Sequence, residues 1–86
     1  MKAREKYEYC LGLTKAAISA VEVIEGAEKA EKLLKFAKDY WKDAEYCASK
    51  GDYETALEAI AYAHGFIDAG VLAGFFRIPG YHLTED

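Results

Sequence analysis

His64 and Asp68 stand four residues apart and are the only residues between Ala59 and Phe76 that carry charge near neutrality. On a helix that separation is one turn, so the carboxylate can accept a hydrogen bond from the imidazole. Such a pair can orient a general base or begin a metal site. Either role needs more groups. Metal centres in helical bundles draw several inward Glu and His residues from different helices, whereas the neighbouring apolar seams offer Ala, Leu and aromatic side chains. Catalysis or metal binding at His64 and Asp68 therefore needs the pair duplicated across a symmetric dimer, and the sequence assigns no cofactor or metal. The structural role needs less. His64 occupies a core-facing position level with Thr14 and Asp39, and Thr14 is the one aliphatic hydroxyl in its seam. Thr14, His64 and Asp68 are thus expected to form a mid-bundle polar layer that fixes helix register, since buried polar groups need partners.

The elements that position this pair follow from periodicity. Three seams step three and four residues alternately: Ala3, Tyr7, Cys10, Thr14, Ala17, Val21 and Ile24; then Ala27, Ala30, Leu34, Ala37, Trp41, Ala44 and Ala48; then Tyr53, Leu57, Ile60, His64, Ile67, Val71 and Gly74. This spacing predicts amphipathic helices over about 3–25, 27–50 and 52–75. Gly26 and Gly51 are expected to close the first two helices, and Asp52 to cap the third. Connections this short make neighbours antiparallel. The expected fold is all-α: a three-helix antiparallel up-down-up bundle over residues 1–76, with a short irregular C-terminal tail over 77–86. Pro79-Gly80 stops any continuation of the third helix, and the tail, with Tyr81, His82 and Leu83, is expected to fold back on the bundle or onto a partner.

The third helix has a second stripe, Ala59, Tyr62, Phe66, Ala69 and Ala73. A helix apolar on nearly every side must bury itself all round or pair with another chain. Three helices of this length are expected to leave the second stripe uncovered. Either the aromatic tail closes over it or two third helices meet in a homodimer, and the dimer is the favoured expectation because apolar patches of this size are unusual on monomers.

Eighty-six residues make one domain with one core. A net charge of −4 argues against general nucleic-acid binding. The lysines Lys29, Lys32, Lys35, Lys38 and Lys42 are interleaved with Glu28, Glu31, Asp39 and Glu45, which reads as a solvated, salt-bridged face. Cys10 and Cys47 lack the close pairing of a redox or zinc motif and fit a reducing compartment. The N-terminal MKAREKYEY carries no apolar signal core, so a cytoplasmic protein is expected. Membrane spanning is not expected, because Ala59–Phe76 is near the lower length limit and carries an acid.

Three resemblances add to this reading. Arg77 followed five residues later by His82 resembles the Arg–His motif of the HEPN helical ribonucleases, which implies a composite active site at a dimer cleft; here Pro79-Gly80 interrupts the helix that should carry it. Gly51-Asp52-Tyr53-Glu54-Thr55-Ala56-Leu57, with Ala63, resembles the second half of one tetratricopeptide repeat, which implies a helical hairpin. The string Asp43-Ala44, Gly51-Asp52-Tyr53, Ala56-Leu57, Ala59, Tyr62-Ala63-His64-Gly65 and Asp68-Ala69-Gly70 resembles the short archaeal proteins of domain-of-unknown-function family 357. That resemblance implies an all-helical bundle of archaeal, cytoplasmic origin, with His64 and Asp68 as motif residues.

The function expected is a non-enzymatic interaction or scaffold module, self-associating through the third helix and open to a further protein partner. The alternative is a dimeric nuclease-like or metal-assisted hydrolase that uses His64 and Asp68, or Arg77 and His82.

Overall fold

A computed structural model describes residues 2–81. The chain forms α1 (Ala3–Ala20), β1 (Glu22–Val23), α2 (Ala27–Ser49), α3 (Tyr53–Leu72) and β2 (Phe76–Arg77). The three helices run up, down and up. The fold is the expected all-α bundle, to which a two-stranded ribbon has been added.

The helices are not equivalent. Both α1 and α2 pack chiefly on α3 and touch one another far less. This explains why α3 is apolar on nearly every side. Its α1-facing edge includes His64, which bonds Thr14, while its α2-facing edge is built from small residues. Ala30, Ala37 and Ala44 recur every seven residues on α2, and Ala56, Ala63 and Gly70 do so on α3; all six are buried. Antiparallel packing brings the two series to matching heights. With nothing beyond Cβ on either side, the backbones can approach closely, and larger residues fill in around them. Tyr7, Ile60 and Trp41 pack at one end of the bundle, and Ala17, Ile67 and Phe76 at the other. Two sides of α3 are thus covered, one by α1 and one by α2, while part of the second stripe stays exposed.

The turn between α2 and α3 follows its sequence. Gly51 N–H donates to the Ala48 carbonyl at 2.9 Å and Asp52 N–H to that of Cys47 at 3.0 Å, satisfying carbonyls that the ended helix leaves open. Asp52 Oδ1 then accepts from Thr55 N–H at 3.1 Å and caps α3.

The other two helix ends differ from expectation. The first helix stops at Ala20 rather than near residue 25, because Val21 is extended and Glu22–Val23 pair antiparallel with Phe76–Arg77. Ile24 N–H extends this pairing to the Phe75 carbonyl at 2.8 Å. Gly26 is left-handed as expected, but it precedes α2 instead of closing α1. The third helix ends at Leu72 rather than near residue 75. Gly74 adopts φ +79°, which L side chains rarely tolerate, and Phe75 N–H turns back to the Gly70 carbonyl at 2.9 Å. This reversal lays the Phe76 ring on Gly70, where a Cβ would stand 2.1 Å from the ring.

Candidate functional site

The described part of the tail, Arg77 to Tyr81, folds back on the bundle over the α1-facing edge of α3. After Pro79, Gly80 takes a left-handed conformation and Tyr81 N–H closes onto the Ile78 carbonyl at 3.1 Å. That turn delivers the Tyr81 ring to His64, with centroids 5.7 Å apart and planes 24° apart.

A directed hydrogen-bond chain results. Tyr81 donates its hydroxyl proton to Asp68 Oδ1 at 2.5 Å. A phenol has one proton, so its oxygen must accept from His64 Nε2, which lies 3.1 Å away. The neutral imidazole is thereby assigned its proton on Nε2, and Nδ1 accepts from the Thr14 hydroxyl at 3.2 Å. The order is Thr14 to His64 to Tyr81 to Asp68. Thr14 is fully buried, while the His64 and Asp68 side chains keep 25% and 16% of their surface. Burial, followed by the hydrogen bond to Asp68 and its negative charge, pushes the Tyr81 phenol well above the usual tyrosine range.

The structure thus brings Thr14 and His64 together directly. His64 Nε2 and Asp68 Oδ1 are 3.7 Å apart, beyond hydrogen-bonding distance, and Tyr81 bridges them. Tyr81 was the member that periodicity missed. Its only sequence signal is an aromatic placed directly after a Pro-Gly turn. Asp39, expected level with His64, takes no part in the chain and lies on the surface in a 2.7 Å ion pair with Lys35.

Arg77 sits apart from this chain. Its Nε and Nη2 donate to Glu22 Oε2 at 2.9 and 2.6 Å, across the register pair of the ribbon. The guanidinium is committed to that carboxylate, and His82 lies outside the described residues. Among the described residues, no three His, Cys, Asp or Glu side chains are grouped to hold a metal ion. Cys10 and Cys47 are free thiols bordering the same apolar cluster.

The second stripe of α3 is only partly open. Ala59 is buried in the cluster that includes Tyr40 and Ala44, so it belongs to the core and not to a surface. Phe66 stacks on Tyr40 at 5.7 Å and packs tilted against Phe36 at 5.4 Å, and Tyr62 lies 5.3 Å from Tyr40. Ala69 and Ala73 are exposed, and Tyr62 keeps 61% of its surface. An open groove follows this face, lined by Glu58, Ala61, Tyr62, Gly65, Phe66 and Ala69. The described part of the tail lies on the opposite side, so it does not cover the stripe.

These features define a small three-helix bundle with a tail-locked polar layer on one side of α3 and an uncovered aromatic groove on the other. The chain belongs to the family described as protein of unknown function (DUF357), which matches residues 8–76. The matched span contains Thr14, His64 and Asp68 and stops before Arg77 and Tyr81. No curated protein and no solved structure matches the chain. No helix among the described residues is long and apolar enough to cross a membrane.

Proposed function

We propose that the protein is a non-enzymatic helical interaction module of a reducing, cytoplasmic compartment that self-associates through the outer face of α3. The observation that carries this reading is the groove itself. Tyr62 and Phe66 flank a line of small residues, Ala61, Gly65 and Ala69, and the described part of the tail lies on the far side of α3. The pattern is self-complementary: antiparallel pairing about Gly65 sets Ala61 of one copy against Ala69 of the other. Small residues at those positions let two backbones come close, and the flanking rings supply the buried area. In this reading the Thr14–His64–Tyr81–Asp68 chain is structural and locks the tail to the bundle.

Light scattering on the wild type and on Phe66→Glu tests the proposal. A dimer that becomes a folded monomer in Phe66→Glu supports it. A wild-type monomer up to high micromolar concentration overturns it.

The enzymatic reading draws on one observation, the hydrogen-bond chain that joins a carboxylate, a phenol, an imidazole and a hydroxyl in line. It places a nuclease-like or metal-assisted hydrolytic role on His64 and Asp68. Ribonuclease or phosphodiesterase turnover that is lost in both His64→Gln and Asp68→Asn, with the fold retained, would move the assignment to it.

A further inference from the structure

We infer that the second copy docks in one orientation only, antiparallel, because the α2–α3 face carries its charges in a two-fold complementary order. This inference rests on the self-association proposed above and adds its geometry.

Phe36 marks the outer edge of α2, since its ring packs tilted against Phe66 and is half exposed. Residues four and seven positions before it, Lys32 and Lys29, share that edge, and so does Asp43 seven positions after it. Asp43 and Glu58 line a second groove with Tyr40, Tyr46 and Tyr62, continuous with the first through Glu58 and Tyr62. The face therefore has a basic end, an aromatic middle and an end whose carboxylates, Asp43 and Glu58, outnumber its one cation, Lys50, which lies over Tyr46. Lys29 and Asp43 are equidistant from Phe36 along one helix, about 21 Å apart at the standard helical rise. Among the described residues, none of Lys29, Lys32, Asp43 and Glu58 is in an ion pair. By contrast, Lys35 and Asp39, further round α2, already satisfy each other. The α3 helix contains no Lys or Arg, and its exposed acids Glu54 and Glu58 both lie in its N-terminal half.

A two-fold axis across the helices near Gly65 keeps α3 against α3 and α2 against α2 while reversing their direction. The acidic end of each copy, Asp43 and Glu58, then meets Lys29 and Lys32 of the other, and the aromatic middles coincide. A parallel pairing instead sets α2 of one copy beside α3 of the other at equal height. Asp43 then meets Glu58 while Lys29 and Lys32 face the half of α3 that has no exposed acid, and close like charges are costly at an interface. Charge selects the orientation that the small-residue groove permits.

Charge exchange, read by sedimentation equilibrium, tests this. Lys29→Glu/Lys32→Glu makes both ends acidic, and Asp43→Lys/Glu58→Lys makes both ends basic. Each double variant is expected to weaken the dimer roughly tenfold or more. The four-fold exchange in one chain is expected to restore it, and added salt to weaken the wild-type dimer. All four positions are exposed, and circular dichroism checks that each variant is folded. A wild-type dimer that is lost in Phe66→Glu but indifferent to every charge variant overturns the inference and leaves the self-association standing. Tightening by salt, or a four-fold exchange weaker than either double variant, also overturns it. A wild-type monomer removes the underlying reading itself.

Discussion

Tyr81 gives its hydroxyl proton to Asp68 across 2.5 Å, joining the end of the described tail to the middle of the central helix. Removing that hydroxyl in Tyr81→Phe leaves the ring in place but strips a partner from both Asp68 and His64. The His64 Nε2 proton that loses its acceptor would cost about 1–3 kcal/mol if it were fully buried. The residual exposure here, and the freedom of His64 to move toward Asp68, put the expected loss near 1 kcal/mol, or about 4–8 °C in Tm for a domain of this size. Thermal unfolding of the two proteins checks it.

The same phenol makes stability fall in alkali. Its folded pKa lies above the ordinary tyrosine value of 10.0 through burial and the Asp68 contact. The folded state therefore holds its proton where the unfolded state has released it. This contribution is fully present below about pH 10 and is lost as pH rises beyond that, with a slope of at most ~1.4 kcal/mol per pH unit. Tyr7, also raised by burial, adds the same sign. Urea midpoints measured from pH 9 to 11 are expected to drop more steeply in the wild type than in Tyr81→Phe. Equal slopes would mean that Tyr81 ionises as it does in the unfolded chain.

Much of this architecture is legible in the residues because helix seams and turn chemistry are local signals. Ala30, Leu34 and Ala37 declare a buried edge, and Gly51-Asp52 declares a stop and a start within two residues. The Val21–Ile24 stretch was not decidable in this way. Its apolar spacing continues the first seam and also suits a strand, and only the distant Phe75–Arg77 selects the strand. Tyr81 was hidden for a related reason: it meets His64 and Asp68 through a reversed tail that has no periodicity to read. Thr14 and His64 were legible as a pair because both interrupt apolar seams at the same height.

Gly70 is held small by a contact across the chain rather than by its own backbone. A Cβ there would meet the Phe76 ring at 2.1 Å, and Phe76 is almost fully buried. Gly70→Ala gains roughly 1 kcal/mol in helix propensity and loses about 1–3 kcal/mol to overpacking. We expect a net loss, read as a lower urea midpoint. Combining it with Phe76→Leu should recover part of that loss, because the smaller side chain vacates the contested space. Full additivity of the two changes would mean that the ring and the glycine do not meet.

Thr14 and His64 provide the strictest check on whether the polar layer is a unit. Thr14→Val keeps the shape of a buried side chain but takes the proton from His64 Nδ1; His64→Leu takes the acceptor from a hydroxyl with no access to water. Each single change leaves at least one group of this pair without its partner, at a cost of about 1–3 kcal/mol where that group is fully buried, as the Thr14 hydroxyl is. Changing both removes donor and acceptor together and leaves apolar surface on each helix. The double variant is therefore expected to be less destabilised than the sum of the singles by about 1 kcal/mol, a coupling of the size seen for residues in direct contact. His64→Leu also deprives Tyr81 of its donor, so its cost should exceed that of Thr14→Val. A double-mutant cycle by urea denaturation measures both differences. Simple additivity would show that the two residues, 3.2 Å apart, contribute independently and that register between α1 and α3 is set by apolar packing alone.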